Sequence, residues 1–269
     1  MSFFAGYTGP KETRYLFVDG GALRSAIDDV SKKYFAGENF QIDFDLLSRD
    51  YTKTFYYDAL PVRKPGESES DWDIRTGPMQ QLLRDASATD GVHVYAGDAR
   101  DRRGRGLEQK KVDVKIAVDI LSHSVRRNMH RATLLTGDND FKPLLDALRQ
   151  DGMFVTLWYP NGKTGQELQD AADSRRPLTI GNIRRLLTAS SQLDFDLPES
   201  KNVTPGSRPD GWQQLKTWDQ NGIKHFLYKD SQNFVVVQES NAGNELRIRH
   251  SNLDLVREYC LDSNIAVPN

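Results

Sequence analysis

The sequence predicts an α/β protein, an open parallel sheet between helices, followed by a small α+β unit. Three observations carry that reading. Strand-like and helix-like segments alternate as far as about residue 190, as parallel strands joined by crossover helices do. Two strands run straight into aspartate-bearing turns and then helices, at Val18-Asp19-Gly20-Gly21 and at Leu135-Thr136-Gly137-Asp138-Asn139-Asp140. Over residues 194–211 the composition shifts to Asp, Ser, Pro and Gly, which reads as a linker.

Taken in order, residues 15–18 form the first strand, and a helix over 22–34 carries Leu23, Ile27, Val30 and Tyr34 on one face. Residues 52–57, rich in Thr, Phe and Tyr, form the second strand. The polar stretch 61–73 reads as a loop, with a helix over 77–88 and a strand over 92–96. A helix over about 112–127 precedes the strand 131–135. The next helix, 141–150, repeats Phe141, Leu144, Leu145 and Leu148 at helical spacing, and 154–158 is a further strand. The main domain is therefore placed at 13–190 and the linker at 191–211. Beyond it, 223–228 and 234–238 read as a β-hairpin, 246–248 as a strand and 253–261 as a helix. This unit, 212–269, has only about 55 to 60 residues, at the lower end of independent stability. It is expected to pack on the main domain, on a protein partner or on another copy in a homo-oligomer.

Composition narrows the class. Lys plus Arg number 36 against 38 Asp plus Glu, so net charge gives no nucleic-acid signal and local charge must supply one. A single cysteine, Cys260, fits a reducing compartment. No apolar run approaches the ~20 residues of a membrane span, and the N-terminus lacks the basic start of a secretory signal. A cytoplasmic protein is the expectation.

The chemistry concentrates in aspartates. Asp19, Asp138 and Asp140 fall in strand-to-helix turns, at the carboxyl edge where open parallel sheets place their ligands. Asp113 shares a helix face with Ile116, Ala117 and Ile120, so it points inward near the start of its helix. Asp119 lies on another side, where an i,i+4 pair with Lys115 is expected. Clustered carboxylates repel unless a cation separates them, and a hard divalent cation such as Mg²⁺ among Asp19, Asp113, Asp138 and Asp140 would resolve the conflict. Such a site activates water against a phosphodiester. Each aspartate alone could instead be a helix cap, Asp140 most readily because Phe141 and the helix follow it. The five histidines lack ligand spacing for zinc. Asp58, after the second strand, is a second-tier site candidate with Asp119 and Thr136; a turn role is the plain alternative for Asp58.

Three blocks together resemble the NYN branch of the PIN-like nucleases: Phe17-Val18-Asp19-Gly20-Gly21, then Lys110 to Asp119, then Leu135 to Phe141 with Pro143 and Gly152. The resemblance covers roughly residues 13–160. It implies a five- or six-stranded parallel sheet between helices, and aspartates at 19, 113, 138 and 140 holding Mg²⁺ or Mn²⁺. It also implies cleavage of RNA or of other single-stranded or structured nucleic acid. The family's first block commonly reads Asp-x-x-Asn, whereas this chain has Asp19-Gly20-Gly21-Ala22.

For binding the substrate, Arg100, Arg102, Arg103 and Arg105, punctuated by Gly104 and Gly106, lead into Lys110 and Lys111. A flexible arginine segment beside an acidic site suits phosphate contacts, although such segments also occur simply as solvated loops. Arg175, Arg176, Arg184 and Arg185 form a second basic group, and Tyr56, Tyr57, Trp158 and Tyr159 offer rings for base stacking. A dehalogenase-type hydrolase would need a second carboxylate two residues after Asp19, where Gly21 stands. A dinucleotide site would need a G-x-G-x-x-G loop, which is missing. A weakened nuclease fold that binds RNA or protein is the other open reading.

Overall fold

The computed structural model describes residues 12–97, 105–205, 209–239 and 243–268, with residues 105–110 described in their backbone only. It divides into two units. One takes the described residues up to Asp29 together with Ile42–Leu178; the other takes Val30–Gln41 and the described residues from Thr179 onward.

The elements are, in chain order, β1 (Arg14–Asp19), α1 (Gly20–Tyr34), α2 (Phe44–Ser48), β2 (Lys53–Ala59), α3 (Glu69–Ala88), β3 (Val92–Gly97) and α4 (Arg105–Val125). There follow β4 (Arg131–Leu135), a 3-10 turn (Asn139–Phe141), α5 (Lys142–Gln150), β5 (Phe154–Pro160), α6 (Gln166–Asp170) and β6 (Ser174–Leu178). The remainder comprises α7 (Ile180–Arg184), α8 (Ala189–Asp194), β7 (Glu199–Val203), β8 (Gln213–Gln220), β9 (Ile223–Lys229), β10 (Phe234–Glu239), β11 (Glu245–His250) and α9 (Leu253–Asp262).

In the first unit six parallel strands lie in the order β3-β2-β1-β4-β5-β6. The expected α/β class and parallel sheet are thus observed. Leu16, Phe17 and Val18 are all fully buried, which requires cover on both faces of the sheet. On one face, Phe17 and Leu134 pack with Ile116 and Ile120 of α4 and Leu145 and Leu148 of α5. The chain moves outward from β1 through β2 to β3, then returns to place β4 on the other side of β1. Strand order reverses there, with Val18 paired to Leu135, and the two carboxyl ends flank the crevice where such sheets receive ligands.

Several boundaries differ from the sequence reading. The α3 helix begins at Glu69, inside the stretch expected to be a loop, because Ser68 caps it by accepting from the Asp71 N–H. Pro78 is therefore interior to the helix rather than at its first turn. Residues 199–203, placed in the linker, form strand β7. Residues 179–190, placed in the main domain, group with the C-terminal unit. There Thr188 N–H donates to Gln41 O, Gln41 N–H donates to Ser191 Oγ, and Phe35, Phe40 and Phe195 cluster.

The second unit carries an antiparallel sheet in the order β7-β11-β10-β9-β8. The expected hairpin is β9–β10, closed by Asp230, which accepts from the Gln232 and Asn233 N–H groups. Helix α9, capped by Asn252, buries Val256 and Cys260 against Leu227, Val236 and Ile248.

Candidate active site

Asp19 is the last residue of β1 and α1 starts at the next residue. Its Oδ1 accepts from the Ala22 N–H at 3.0 Å, so the side chain caps α1. Its Oδ2 accepts from the Thr136 hydroxyl at 3.0 Å, across the junction of β1 and β4. Burial pushes the Asp19 carboxyl upward, the two hydrogen bonds oppose this, and the charges of Asp58 and Asp138 add to the rise.

Thr136, fully buried after β4, also accepts from the Asp138 N–H at 3.2 Å. One hydroxyl therefore ties the β1 carboxylate to the turn that carries Asp138. Asp138 Oδ1 in turn accepts from the Asp140 N–H at 2.9 Å. The cap of the helix entry is thus Asp138 rather than Asp140, because the 3-10 turn at Asn139–Phe141 precedes α5 and needs its own acceptor. Asp140 is exposed.

Asp113, on α4, joins the other three through their charge. Its carboxyl is pushed up to about 6, first by burial and then by Asp19, Asp138 and Asp140. Among the described residues no hydrogen bond or ion pair engages that carboxylate. Three segments distant in sequence, the β1 end, the β4 turn and α4, thus bring four aspartates into one electrostatic neighbourhood.

The second-tier residues divide differently. Asp58 is buried and held by Arg24, whose Nε and Nη2 donate to its two oxygens at 2.8 and 2.9 Å. The Tyr56 hydroxyl and the Ala59 N–H also donate to it. Asp119 forms the expected pair with Lys115 and accepts from the Tyr57 hydroxyl at 2.9 Å. Both carboxylates are therefore compensated within the chain. Tyr56 and Tyr57 are buried, so their rings are not available for base stacking. Arg24 escaped the sequence reading because it falls outside the apolar stripe of α1. The signal for it was Asp58 itself, since a carboxylate at a buried strand end demands a nearby cation.

Gly20 explains why this junction tolerates no side chain. A Cβ there would come within 2.5 Å of Asp58 Oδ2 and 2.6 Å of the Tyr56 ring.

Of the basic group, Arg100, Arg102 and Arg103 lie outside the described residues. Arg105 and Lys110 belong to α4, but their side chains also lie outside them; Lys111 is exposed. In the second basic group, Arg175 pairs with Asp170, and Arg184 donates to the carbonyls of Gln192 and Phe195.

The donor set suits a hard divalent cation, since carboxylate oxygens alone compose it. Among the described residues no three candidate ligands close into a preformed metal group. No helix among the described residues is long and apolar enough to cross a membrane.

Comparison with known proteins adds the following. A family model described as NYN domain matches residues 16–179. Comparison with curated proteins returns no match. Among solved structures, a protein of unknown function from Vibrio parahaemolyticus is similar at 18% identity and a TM-score of 0.46, over 66% of this chain and 96% of that one.

Proposed function

Because the chain belongs to the NYN domain family, within the PIN-like nuclease superfamily, we propose that it is a metal-dependent ribonuclease centred on Asp19, Asp113, Asp138 and Asp140. One observation carries the reading: the Thr136 hydroxyl joins Asp19, at the end of β1, to the β4 turn bearing Asp138, and the charges of Asp19, Asp138 and Asp140 all act on the half-buried Asp113. A divalent cation is the economical remedy for such a cluster. Asp19, Asp113, Asp138 and Asp140 would hold Mg²⁺ or Mn²⁺. When bound, the ion supplies a lowered pKa for water and stabilises charge developing on the phosphodiester.

The chain's own groups set the geometry. Thr136 orients Asp19 through Oδ2 and the Ala22 N–H orients it through Oδ1. The Asp140 N–H fixes Asp138. Fixing ligands through outer hydrogen bonds is the usual way a protein tunes such a site. Arg100, Arg102, Arg103, Arg105, Lys110 and Lys111 would bind backbone phosphates and position the strand.

A second reading, a weakened domain that binds RNA or protein, draws on Ala22, which stands where the family commonly carries Asn. The test is incubation of the purified chain with labelled single-stranded RNA and with DNA, each in Mn²⁺ or EDTA. Cleavage of RNA in Mn²⁺ alone supports the nuclease; binding without cleavage in any arm favours the second reading.

A further inference from the structure

The geometry points to Arg24 as a phosphate-positioning residue, a guanidinium pre-set by Asp58 to receive the nucleic-acid backbone beside Asp19. The inference rests on the nuclease reading above. Asp58 lies at the carboxyl end of β2, next to β1, and its Oδ2 packs so closely on Gly20 that only glycine fits directly after Asp19. The anchor of Arg24 is therefore in contact with the residue that follows the proposed ligand.

Asp58 engages two of the five N–H donors of the Arg24 fork, through Nε and Nη2. The Arg24 side chain nevertheless remains 40% exposed, while its partner is 5% exposed. Arg24 thus keeps a solvent-facing part on α1, five residues after Asp19. Asp58 is itself fixed by the Tyr56 hydroxyl and the Ala59 N–H, so the guanidinium is held before any substrate arrives. Holding the fork in advance removes most of the ordering cost that a free arginine meets on binding. Guanidinium geometry matches phosphate oxygens in pairs, which an ammonium cannot do. An acidic centre also needs a nearby cation if a polyanion is to approach it. The pair also compensates the buried Asp58 charge, so the same guanidinium serves the fold while part of its side chain faces solvent.

The experiment uses the full chain and a fluorescein-labelled single-stranded RNA. Its Kd is followed from 50 to 200 mM KCl in EDTA, and KM and kcat are measured in Mn²⁺. Arg24→Ala should weaken binding about tenfold, as loss of one charge-assisted contact does. Its salt slope should fall by about 0.7, one phosphate contact on a single strand. KM should rise by more than kcat falls. Arg24→Lys keeps the charge beside Asp58 and so guards against an unfolded Ala variant. It should keep the wild-type slope but weaken binding several-fold, because the fork is lost. Wild-type slope and KM in Arg24→Ala, or wild-type affinity in Arg24→Lys, would overturn the assignment. If the unmodified chain shows no salt-dependent RNA binding, the nucleic-acid reading fails and this proposal fails with it.

Discussion

The Thr136 hydroxyl donates to Asp19 Oδ2 at 3.0 Å while accepting from the Asp138 N–H at 3.2 Å. A single buried oxygen thus links the carboxyl ends of β1 and β4, the two strands that flank the reversal in strand order. It fixes one aspartate by its side chain and the other by its backbone.

Replacing that hydroxyl should separate orientation from charge. Thr136→Val keeps the shape and all four carboxylates but removes the donor to Asp19. Loss of an outer-shell partner of this kind commonly lowers metal affinity or activity about 10- to 100-fold. Cleavage assays titrated with Mn²⁺ should show that loss, and Thr136→Ser should restore most of it. Equal activity in Thr136→Val would remove the hydroxyl from the account.

The Asp113 carboxyl gives a pH prediction. Its folded-state value is about 6, raised from an ordinary 3.8 by burial and the neighbouring aspartates. Between those values the folded chain holds more protons than the unfolded chain, so stability declines as pH rises through that window. The loss is complete above the folded value. Asp113→Asn should therefore raise stability in EDTA at pH 7.5 by on the order of 1 to 2 kcal/mol, allowing for partial solvent screening. At pH 4 the two proteins should melt together. Parallel melting curves across this range would contradict the shared field of the four carboxylates.

Adding Mn²⁺ should reverse that ranking. An ion that binds only the folded chain raises its melting temperature in proportion to the logarithm of its concentration. Wild-type protein should gain stability with Mn²⁺, and Asp113→Asn should gain less. Differential scanning fluorimetry over a metal titration measures both; an identical response from the two would exclude Asp113 from the site.

The two glycines after Asp19 should respond unequally. In Gly20→Ala the new Cβ meets Asp58 Oδ2 at 2.5 Å and the Tyr56 ring at 2.6 Å. Overpacking of this kind costs about 1 to 3 kcal/mol. In Gly21→Ala the only near neighbour among the described residues is Asp19 Oδ1 at 3.2 Å, so the destabilisation should be smaller. Urea midpoints compare them directly, and a milder effect at Gly20 would mean that Asp58 and Tyr56 yield easily.

What the sequence made legible was whatever the central strands carry. Runs such as Leu16-Phe17-Val18 and Leu134-Leu135 announce strands buried on both faces, and the aspartates that end them mark the carboxyl edge. The strands missed altogether, β6, β7 and β8, are all at sheet edges. Their residues are polar and largely exposed, Arg175 and Arg176 among them, as edge strands that avoid further pairing commonly are. The cap weighed as an alternative for Asp140 is supplied by Asp138, because a short 3-10 turn before α5 is invisible to apolar spacing. Arg24, on helix α1, was hidden for a different reason: its meaning comes from Asp58, 34 positions away on strand β2.

The most direct test of the central claim is cleavage of labelled single-stranded RNA in Mn²⁺ by the wild-type chain beside Asp19→Asn and Asp138→Asn. Each change is isosteric and removes the charge; at Asp19 it also turns one of two accepting oxygens into an amide donor, and circular dichroism should show that the fold is kept. The account predicts wild-type cleavage that EDTA abolishes and a loss of about 100-fold or more in each variant, as removal of a group acting on the transition state gives. Wild-type rates in either variant, or undiminished cleavage in EDTA, would contradict it.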